Sequence, residues 1–255
     1  MTYALIYHDV VAAERLEEAG FTGPLAARYK LSPERFEDHL ERIAHTGVEI
    51  GTLDAGPARP EALLTFDDGG VSALHAASAL ERRGWRGHFF ITTGRLGTPG
   101  FLRAGDVWDL AARGHVVGSH SHTHPTYMGR LTPDRIKREW EDSAKVLGDL
   151  LGEPPWCASV PGGYLTDTVI DAAAAAGYRL LMTSEPTARE RESGGMAVMG
   201  RYTIWNTTPG GQAAGYARGA LLPRARLWIE WNAKRVPKRL SPRIYQALRR
   251  LRAGR

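Results

Sequence analysis

Apolar side chains occur along the chain in short runs, and between the runs apolar residues recur every three or four positions. Short runs bounded by polar residues are typical of buried strands, whereas the wider spacing indicates amphipathic helices. The runs predict strands over residues 4–8, 62–66, 88–92, 115–118, 157–160, 179–182 and roughly 197–204. The spaced segments predict helices that begin at Ser32 and Thr132 and that cover 72–83, 107–113 and 167–176.

About seven strands thus alternate with helices, which predicts a mostly parallel sheet with helices outside it. The sheet is either open and doubly wound or closed into a barrel, and in both cases functional residues collect at the C-terminal ends of the strands. The chain has 255 residues, 43% of them apolar and 24% charged, which is enough for one large core. No apolar stretch approaches the roughly 20 residues that cross a bilayer.

Two of the predicted strand ends carry metal-ligand side chains. Asp67 and Asp68 follow the second strand, and His120, His122 and His124 follow the fourth. Each cluster by itself can be interpreted as an ordinary turn or a solvated loop. Because both clusters are expected at the same edge of the sheet, the two together favour a metal site. Two histidines and one carboxylate leave coordination positions open for water and substrate. Zinc lowers the pKa of a bound water to about 7, so the second carboxylate is free to act as a base.

The motifs carrying these residues resemble those of a known family. Thr65-Phe66-Asp67-Asp68-Gly69 resembles the first motif of the polysaccharide deacetylases with NodB homology (carbohydrate esterase family 4), and His120-Ser121-x-x-His124 resembles the second. The resemblance covers roughly residues 3–205. It implies a distorted or incomplete (β/α)7-type barrel that removes an acetyl group from an N-acetylated sugar.

The resemblance also implies roles for the motif residues. Asp67 corresponds to the general base, and Asp68, His120 and His124 correspond to the ligands of a divalent transition metal. Zinc is expected, although cobalt, nickel or manganese also fit, because nitrogen and oxygen ligands alone do not select zinc.

Two of the family's later motifs are altered. The third motif is usually Arg-x-Pro-Tyr-Gly, but residues 159–163 read Ser-Val-Pro-Gly-Gly, so the arginine that holds the base is missing. The backbone N–H of Gly162 still stands where the family binds the oxyanion. A late Leu-x-His motif, the usual source of the general acid, is absent. Arg201 either replaces the missing arginine or is an exposed residue at a strand end.

His8 is the candidate for the missing acid. It ends the first strand, which neighbours the last strand in a closed barrel. Tyr7-His8-Asp9-Val10 also resembles the N-terminal strand of deacetylases that act on poly-N-acetylglucosamine, where the motifs are circularly shifted and this histidine looks like the acid. The alternative is a hydrogen-bonded histidine at the barrel rim. In that case the chain is a catalytically degenerate carbohydrate-binding protein, and an amidase acting on a non-sugar C–N bond is a further alternative.

The net charge of +5 is unevenly distributed. Residues 224–255 contain eleven Lys or Arg and one acid, so that they carry +10 and the first 223 residues carry −5. A mildly acidic body excludes a broad nucleic-acid surface. We therefore predict a catalytic domain over 1–223 and a basic amphipathic extension over 224–255. The apolar residues of the extension follow one helical face, with arginines beside that face. The apolar residues are Leu227, Trp228, Ile229, Trp231, Ile244, Leu248 and Leu251, and the arginines are Arg243, Arg249, Arg250 and Arg252.

Two placements of this extension are open. It lies on an anionic membrane or a partner protein, or it packs on the barrel with its arginines in water. The single cysteine, Cys157, excludes an internal disulfide and fits a small buried side chain. The N-terminus has no export-signal pattern, so a cytoplasmic protein is expected, membrane-peripheral if the extension binds lipid. Trp156, Tyr164 and Trp205 are candidates for stacking on sugar rings.

Overall fold

The structure, a computed structural model, describes residues 1–53 and 59–240, with side chains as far as residue 233. Its strands form one sheet in the order β7-β8-β6-β5-β4-β3-β2-β1-β9. The strands are β1 (Tyr3–Tyr7), β2 (Ala62–Phe66), β3 (His88–Ile91), β4 (Val116–Ser119), β5 (Cys157–Ser159), β6 (Leu180–Met182), β7 (Arg191–Ser193), β8 (Met196–Met199) and β9 (Tyr202–Thr203).

The sheet curls because two consecutive strands, β8 and β9, pair with strands at opposite ends of the rest of the sheet. β8 runs parallel to β6, and β9, which follows after only Gly200 and Arg201, runs parallel to β1. β7 is antiparallel to β8 and lies at the edge. The result is an incomplete (β/α)7-type barrel, which confirms the predicted fold class.

Helices cover the outside of this barrel. They are α1 (Pro24–Ala27), α2 (Pro33–Ala44), α3 (Ala73–Glu81), α4 (Ala104–Ala112), α5 (Pro133–Leu151), α6 (Asp167–Ala175), α7 (Gly210–Ala217) and α8 (Leu221–Leu240). α2 begins where the sequence predicts, with the Ser32 hydroxyl accepting a hydrogen bond from the Arg35 N–H at 3.3 Å. Its apolar face, Phe36, Leu40 and Ile43, is fully buried against the sheet.

Side-chain alternation along β2 divides the core into two layers. Leu64 and Phe66 face outward and join the helices, and Phe66 stacks on Phe89 with ring centroids 4.8 Å apart. Leu63 faces the barrel interior, together with Ala4, Phe90, Val116, Cys157, Leu180, Met182 and Met199. By the same alternation Thr65 and Asp67 lie above this interior layer, at the C-terminal mouth of the barrel.

α8 begins beside the opposite end of the barrel, and the predicted boundary after residue 223 falls inside it. Its Arg224 guanidinium lies 4.9 Å from the ring of Tyr3, the first residue of β1. Leu227 packs on the core, whereas Leu221, Leu222, Trp228 and Ile229 are exposed. Trp231 is half-buried, and the other predicted positions of the extension lie outside the described residues: Ile244, Leu248, Leu251, Arg243, Arg249, Arg250 and Arg252. No helix in the described ranges is long and apolar enough to span a membrane.

Candidate active site

The predicted site residues meet at the C-terminal mouth of the barrel. Asp67 and Asp68 follow β2, and His120 follows β4, so each leaves its strand toward the same opening. His8 follows β1, whose neighbour across the sheet is β2; the Asp67 N–H bonds the Tyr7 carbonyl at 3.0 Å. The sheet register therefore brings distant sequence motifs into one cleft.

Asp68, His120 and His124 form a cluster that fits a metal ion. Their ligand atoms all lie within 4.8 Å of one another. The Asp68 Oδ1 atom is buried, and it has no hydrogen-bond partner in the described part of the chain although the Nε2 atoms of His120 and His124 lie 3.4 and 3.3 Å away. A buried carboxylate oxygen facing two imidazole nitrogens is the donor set of a divalent transition metal. The residues therefore fit the ion that the sequence implies.

Strained backbone holds this cluster. Asp68, Ser121 and His124 have φ values of 79°, 63° and 59°, and they are the non-glycine residues with positive φ in the described ranges. Such a conformation costs free energy for residues with a Cβ atom and is found where function fixes the chain. Two of the three residues belong to the ligand cluster itself.

His120 is oriented by β5. Its Nδ1 lies 2.9 Å from the Ser159 carbonyl oxygen, so that Nε2 points to Asp68. Histidine ligands of metals are typically fixed through the second ring nitrogen in this way. His124 packs against Phe21, with ring centroids 4.5 Å apart.

Arg201 enters the barrel and pairs with Asp67. Its Nη1 and Nη2 atoms donate to Asp67 Oδ1 and Oδ2, both at 2.8 Å, and Nη1 also donates to the Thr65 hydroxyl at 2.8 Å. The side chain is 1% exposed, so the alternative of an exposed strand-end arginine is wrong. Ser159, at the position of the missing motif arginine, donates its hydroxyl to Asp67 Oδ2 at 3.1 Å.

These contacts set the charge of Asp67. Burial by itself raises the pKa of this carboxyl group, but the Arg201 guanidinium and His120 outweigh burial and hold the pKa below its ordinary value. Burial also acts on Asp68, whose pKa lies well below the usual range because His120 and His124 contact it. Both carboxylates are therefore ionised at neutral pH.

His8 lies beside the two carboxylates. Burial lowers the pKa of its imidazole, against the opposing attraction of Asp68 and Asp67. Its ring packs on Tyr29 at a centroid distance of 4.5 Å. The buried Nδ1 atom of His8 has no hydrogen-bond partner among the described residues. The alternative, in which His8 is a histidine held by hydrogen bonds at the barrel rim, therefore finds no support at this nitrogen.

Gly162 lies in the short 3-10 turn Pro161–Gly163 that follows β5. Its φ is +65°, and a Cβ atom there would stand 2.5 Å from the Thr126 carbonyl oxygen, so only glycine fits. The residue is exposed, and its N–H makes no hydrogen bond within residues 1–53 and 59–240.

Two residues that hold the site were missed in the sequence. Glu139 of α5 is buried and accepts the N–H groups of His122 and Thr123 at 3.1 and 2.7 Å. Ser159 was noted only as a departure from the motif. A glutamate on the buried face of an amphipathic helix was the available signal for Glu139. His122, to which neither motif gives a role, contacts the Thr93 hydroxyl through Nδ1 at 3.0 Å.

The three aromatic candidates separate in space. Trp205 stacks on Tyr29, 4.6 Å between centroids, and Tyr164 contacts Tyr127 at 4.6 Å, both near the mouth. Trp156 precedes β5 and therefore lies at the opposite end of the barrel, where the Arg179 guanidinium covers it at 5.8 Å. Trp156 cannot contact a sugar bound at the cleft, so this prediction is wrong.

The mouth of the curled parallel barrel carries an Asp-His-His cluster that could hold a metal ion and, beside it, an ion-paired carboxylate, an arrangement that suits hydrolysis. Residues 54–181, half of the chain, match the family described as "Polysaccharide deacetylase". The chain belongs to the polysaccharide deacetylase family and is a hydrolase of carbon–nitrogen bonds in N-acetyl amino sugars.

Individual relatives are distant. YxkH of Bacillus subtilis (strain 168), a polysaccharide deacetylase by name, is 24% identical over 200 residues, which cover 74% of this chain and 67% of that protein. A polysaccharide deacetylase from Bacillus cereus has a similar structure, with a TM-score of 0.72, 20% identity and coverage of 85% of this chain and 68% of its own. IcaB from Ammonifex degensii gives a TM-score of 0.68 at 23% identity, covering 85% of this chain and 97% of its own. At these identities the structural likeness concerns the fold.

Proposed function

We propose that the protein is a metal-dependent deacetylase that hydrolyses the N-acetyl group of an amino sugar. The observation that carries this proposal is the Asp68-His120-His124 cluster beside Asp67, which Arg201 keeps ionised. Asp68, His120 and His124 would hold the ion, with zinc as the expected metal. When bound, such an ion acts as a Lewis acid on the acetyl carbonyl and on water.

The chain's own groups supply the remaining chemistry. Asp67 accepts a proton from the attacking water, and Arg201 and Ser159 fix the carboxylate in position for this transfer. The Gly162 N–H donates to the oxygen that becomes negative as the carbonyl is attacked. His8, which lies beside the two carboxylates, donates a proton to the leaving amine from its protonated form. Each role uses a group that already lies at the mouth of the barrel.

The substrate class follows from the family and from the N-terminal strand. The Tyr7-His8-Asp9-Val10 resemblance supports an N-acetylglucosamine-type glycan.

The roles of base and ligand are separable by mutation. We expect Asp67→Asn to lose acetate release by at least about 10²-fold, because the variant keeps the shape of the side chain but cannot take a proton. Metal content, measured by mass spectrometry of the purified protein, should stay near that of the wild type. Asp142→Asn, an exposed change on α5, is the control. Undiminished acetate release in Asp67→Asn would contradict the assignment of the base.

The same assay tests the rival class of protein. A catalytically degenerate binding protein would bind acetylated glycans without releasing acetate in the wild type. The missing motif arginine favours that candidate, whereas the Arg201–Asp67 pair restores the same charge from a different strand.

His8→Ala tests the proton donor. We expect a rate lower by roughly 10²- to 10⁴-fold, the usual loss for a general acid, with metal content retained because the ligands are untouched. His75→Ala, an exposed histidine on α3, serves as control. A wild-type rate would exclude His8 as the acid, and a parallel loss of metal would show that it supports the shape of the site.

A further inference from the structure

Three arginines surround the mouth of the barrel, and we call them the rim arginines: Arg28, Arg95 and Arg130. Each guanidinium lies over an aromatic ring. The distances from Cζ to the ring centroid are 5.1 Å for Arg28 over Trp205, 5.4 Å for Arg95 over Phe21 and 5.2 Å for Arg130 over Tyr127. All three lie on connections that follow the C-terminal ends of strands, namely those after β1, β3 and β4.

The rings under the rim arginines contact the proposed catalytic groups, either directly or through one further aromatic ring. Phe21, under Arg95, contacts the ligand His124 at 4.5 Å. Trp205, under Arg28, stacks on Tyr29, which contacts His8. The third ring, under Arg130, contacts Tyr164, two residues after Gly162. Each arginine therefore stands one or two side chains outside a different catalytic group, so the three bracket the cleft.

The rim arginines have no anionic partner in the described part of the protein. Many other arginines pair with carboxylates, as Arg113 does with Glu81 at 2.8 Å, but the rim guanidinium groups form no ion pair or hydrogen bond within the described ranges. Arg95 and Arg130 are exposed and Arg28 is half-buried. The segments 92–103, 120–132, 160–166 and 204–209, which build much of the mouth, contain no Asp or Glu. The connections after β1 and β6 carry acidic residues as well: Glu14, Glu17, Glu18, Glu185 and Glu190. The positive charge is therefore local to the rim guanidinium groups and to the four segments without acids, and the first 223 residues as a whole carry a net negative charge.

We infer that the substrate is an anionic glycan, in which phosphate or carboxylate groups lie close to the N-acetylated sugar. This inference rests on the proposed function. A guanidinium that packs its flat face on an aromatic ring keeps its N–H edge free, and that edge matches the two oxygens of a phosphate or carboxylate. A neutral glycan offers the rim arginines no charge to pair with.

The test compares probes that share the acetylated tetramer and differ in the group at one end. The probes are the tetramer of N-acetylglucosamine, its 1-phosphate, and the same tetramer oxidised to a terminal carboxylate. Acetate release is measured for each at about 50 and 300 mM salt. We expect kcat/KM to be at least tenfold higher for one or both anionic probes, mainly through KM, and the preference to shrink at the higher salt concentration. The two anionic arms distinguish phosphate from carboxylate.

Variants assign the preference to the rim. Arg95→Gln and Arg130→Gln should each lower the ratio of anionic to neutral kcat/KM several-fold. Arg179→Gln removes an arginine that also covers a ring, Trp156, but at the opposite end of the barrel, and it should keep the wild-type ratio.

The outcomes separate the two levels of the proposal. Equal kcat/KM for neutral and anionic probes would overturn the inference and leave the proposed function standing. A uniform loss for all probes in the rim variants would show a packing role and would also overturn it. If no probe releases acetate, the proposed function fails, and calorimetric binding of the three probes to the wild type then decides the inference: binding of the neutral tetramer equal to that of both anions rejects it.

Discussion

Arg201 is the residue on which the site's charge balance depends. It is buried, and it donates to Asp67, to the Thr65 hydroxyl and to the Thr183 carbonyl oxygen at 3.3 Å. Bidentate pairing of this kind fixes the carboxylate in one orientation, which a lysine could not reproduce. Removing one partner of a buried pair leaves the other charge without compensation.

We therefore expect Arg201→Gln to lower the free energy of unfolding by about 3–5 kcal/mol, the usual cost of breaking a buried pair. Urea unfolding in the presence of a chelator measures this without a contribution from bound metal. Arg42→Gln breaks an exposed pair with Asp38, so its cost should stay below about 1 kcal/mol. Similar costs for both variants would show that the Arg201 pair is not a significant source of stability.

The sequence shows some of these residues more readily than others. Asp67, Asp68, His120 and His124 stand in recognisable motifs, and their residue types alone indicate a metal site. The pairing of Arg201 with Asp67 joins residues far apart in the chain, and it depends on which way a side chain turns at the break between β8 and β9. Residue type does not carry that information, so both placements of Arg201 remained open.

At the scale of elements, the loop 120–124 between β4 and the 3-10 turn Met128–Arg130 is held from outside the barrel by α5. Glu139 accepts two N–H groups of this loop and also the Thr123 hydroxyl. Ser121 adds a link within the loop, because its hydroxyl accepts the His124 N–H at 3.1 Å. The spacing of the two ligand histidines thus depends on a helix that contributes no ligand.

We expect Glu139→Gln to weaken metal binding by about 10- to 100-fold, the usual effect of altering a group that positions ligands. The neutral amide has a single acceptor oxygen and no charge, so the two loop N–H groups and the Thr123 hydroxyl can no longer all donate to this side chain. Competition with a chromogenic chelator measures the affinity. Glu141→Gln, on the exposed side of α5, is the control and should bind metal as the wild type does. Equal affinity in the two variants would contradict a positioning role for Glu139.

Elements with a strong periodic pattern were predicted well. β2 spans the predicted residues 62–66, and α5 begins after Thr132 as expected. α7 was missed, because Gly210–Ala217 is rich in small residues and its burial against α2 gives no apolar spacing to detect. The predicted last strand is interrupted at Gly200 and Arg201, where the chain changes its partner from β6 to β1. Such a change of partner follows from barrel closure and not from local sequence.

At the scale of the whole molecule, the rim arginines and the basic helix α8 lie at opposite ends of the barrel. The rim arginines surround the mouth, whereas α8 begins beside Tyr3 with its exposed Trp228 and Ile229. One interpretation of the sequence predicts that the exposed side of α8, with Trp228 and Ile229, lies on an anionic surface. Because α8 begins beside the first residue of β1, that surface would face the end of the barrel away from the mouth. The cleft would then take its substrate from the side remote from that contact.

The barrel interior makes the stability of the whole molecule depend on pH. His88 begins β3 and is fully buried near Phe90, with an Nδ1 atom that has no hydrogen-bond partner in the described part of the protein. Burial, together with the positive charge of Arg201 and with His115, lowers the pKa of His88 from 6.5 to about 3. Burial likewise lowers the pKa values of His39 and His115.

The direction of the effect follows from proton binding. Above pH 6.5 neither the folded nor the unfolded chain protonates His88, so this residue leaves stability unchanged there. Below 6.5 the unfolded chain binds a proton that the folded protein refuses until about pH 3, and stability therefore falls as the pH is lowered. With about 1.36 kcal/mol per unit, the loss from His88 between pH 7.5 and 5 is about 2 kcal/mol.

We expect His88→Gln to remove that part of the pH dependence. The glutamine carbonyl can accept the Leu53 N–H, which His88 Nε2 accepts at 3.4 Å, and it does not titrate between pH 5 and 7.5. The free energy of unfolding is measured by urea for both proteins at pH 7.5 and 5, with chelator present throughout. The metal-site histidines titrate equally in both proteins, so their contribution cancels when the two losses of stability are subtracted. The wild type should lose about 2 kcal/mol more than the variant. An equal loss in the two proteins would mean that His88 takes up its proton inside the folded barrel, and that the barrel interior admits a charge that its lining does not pair.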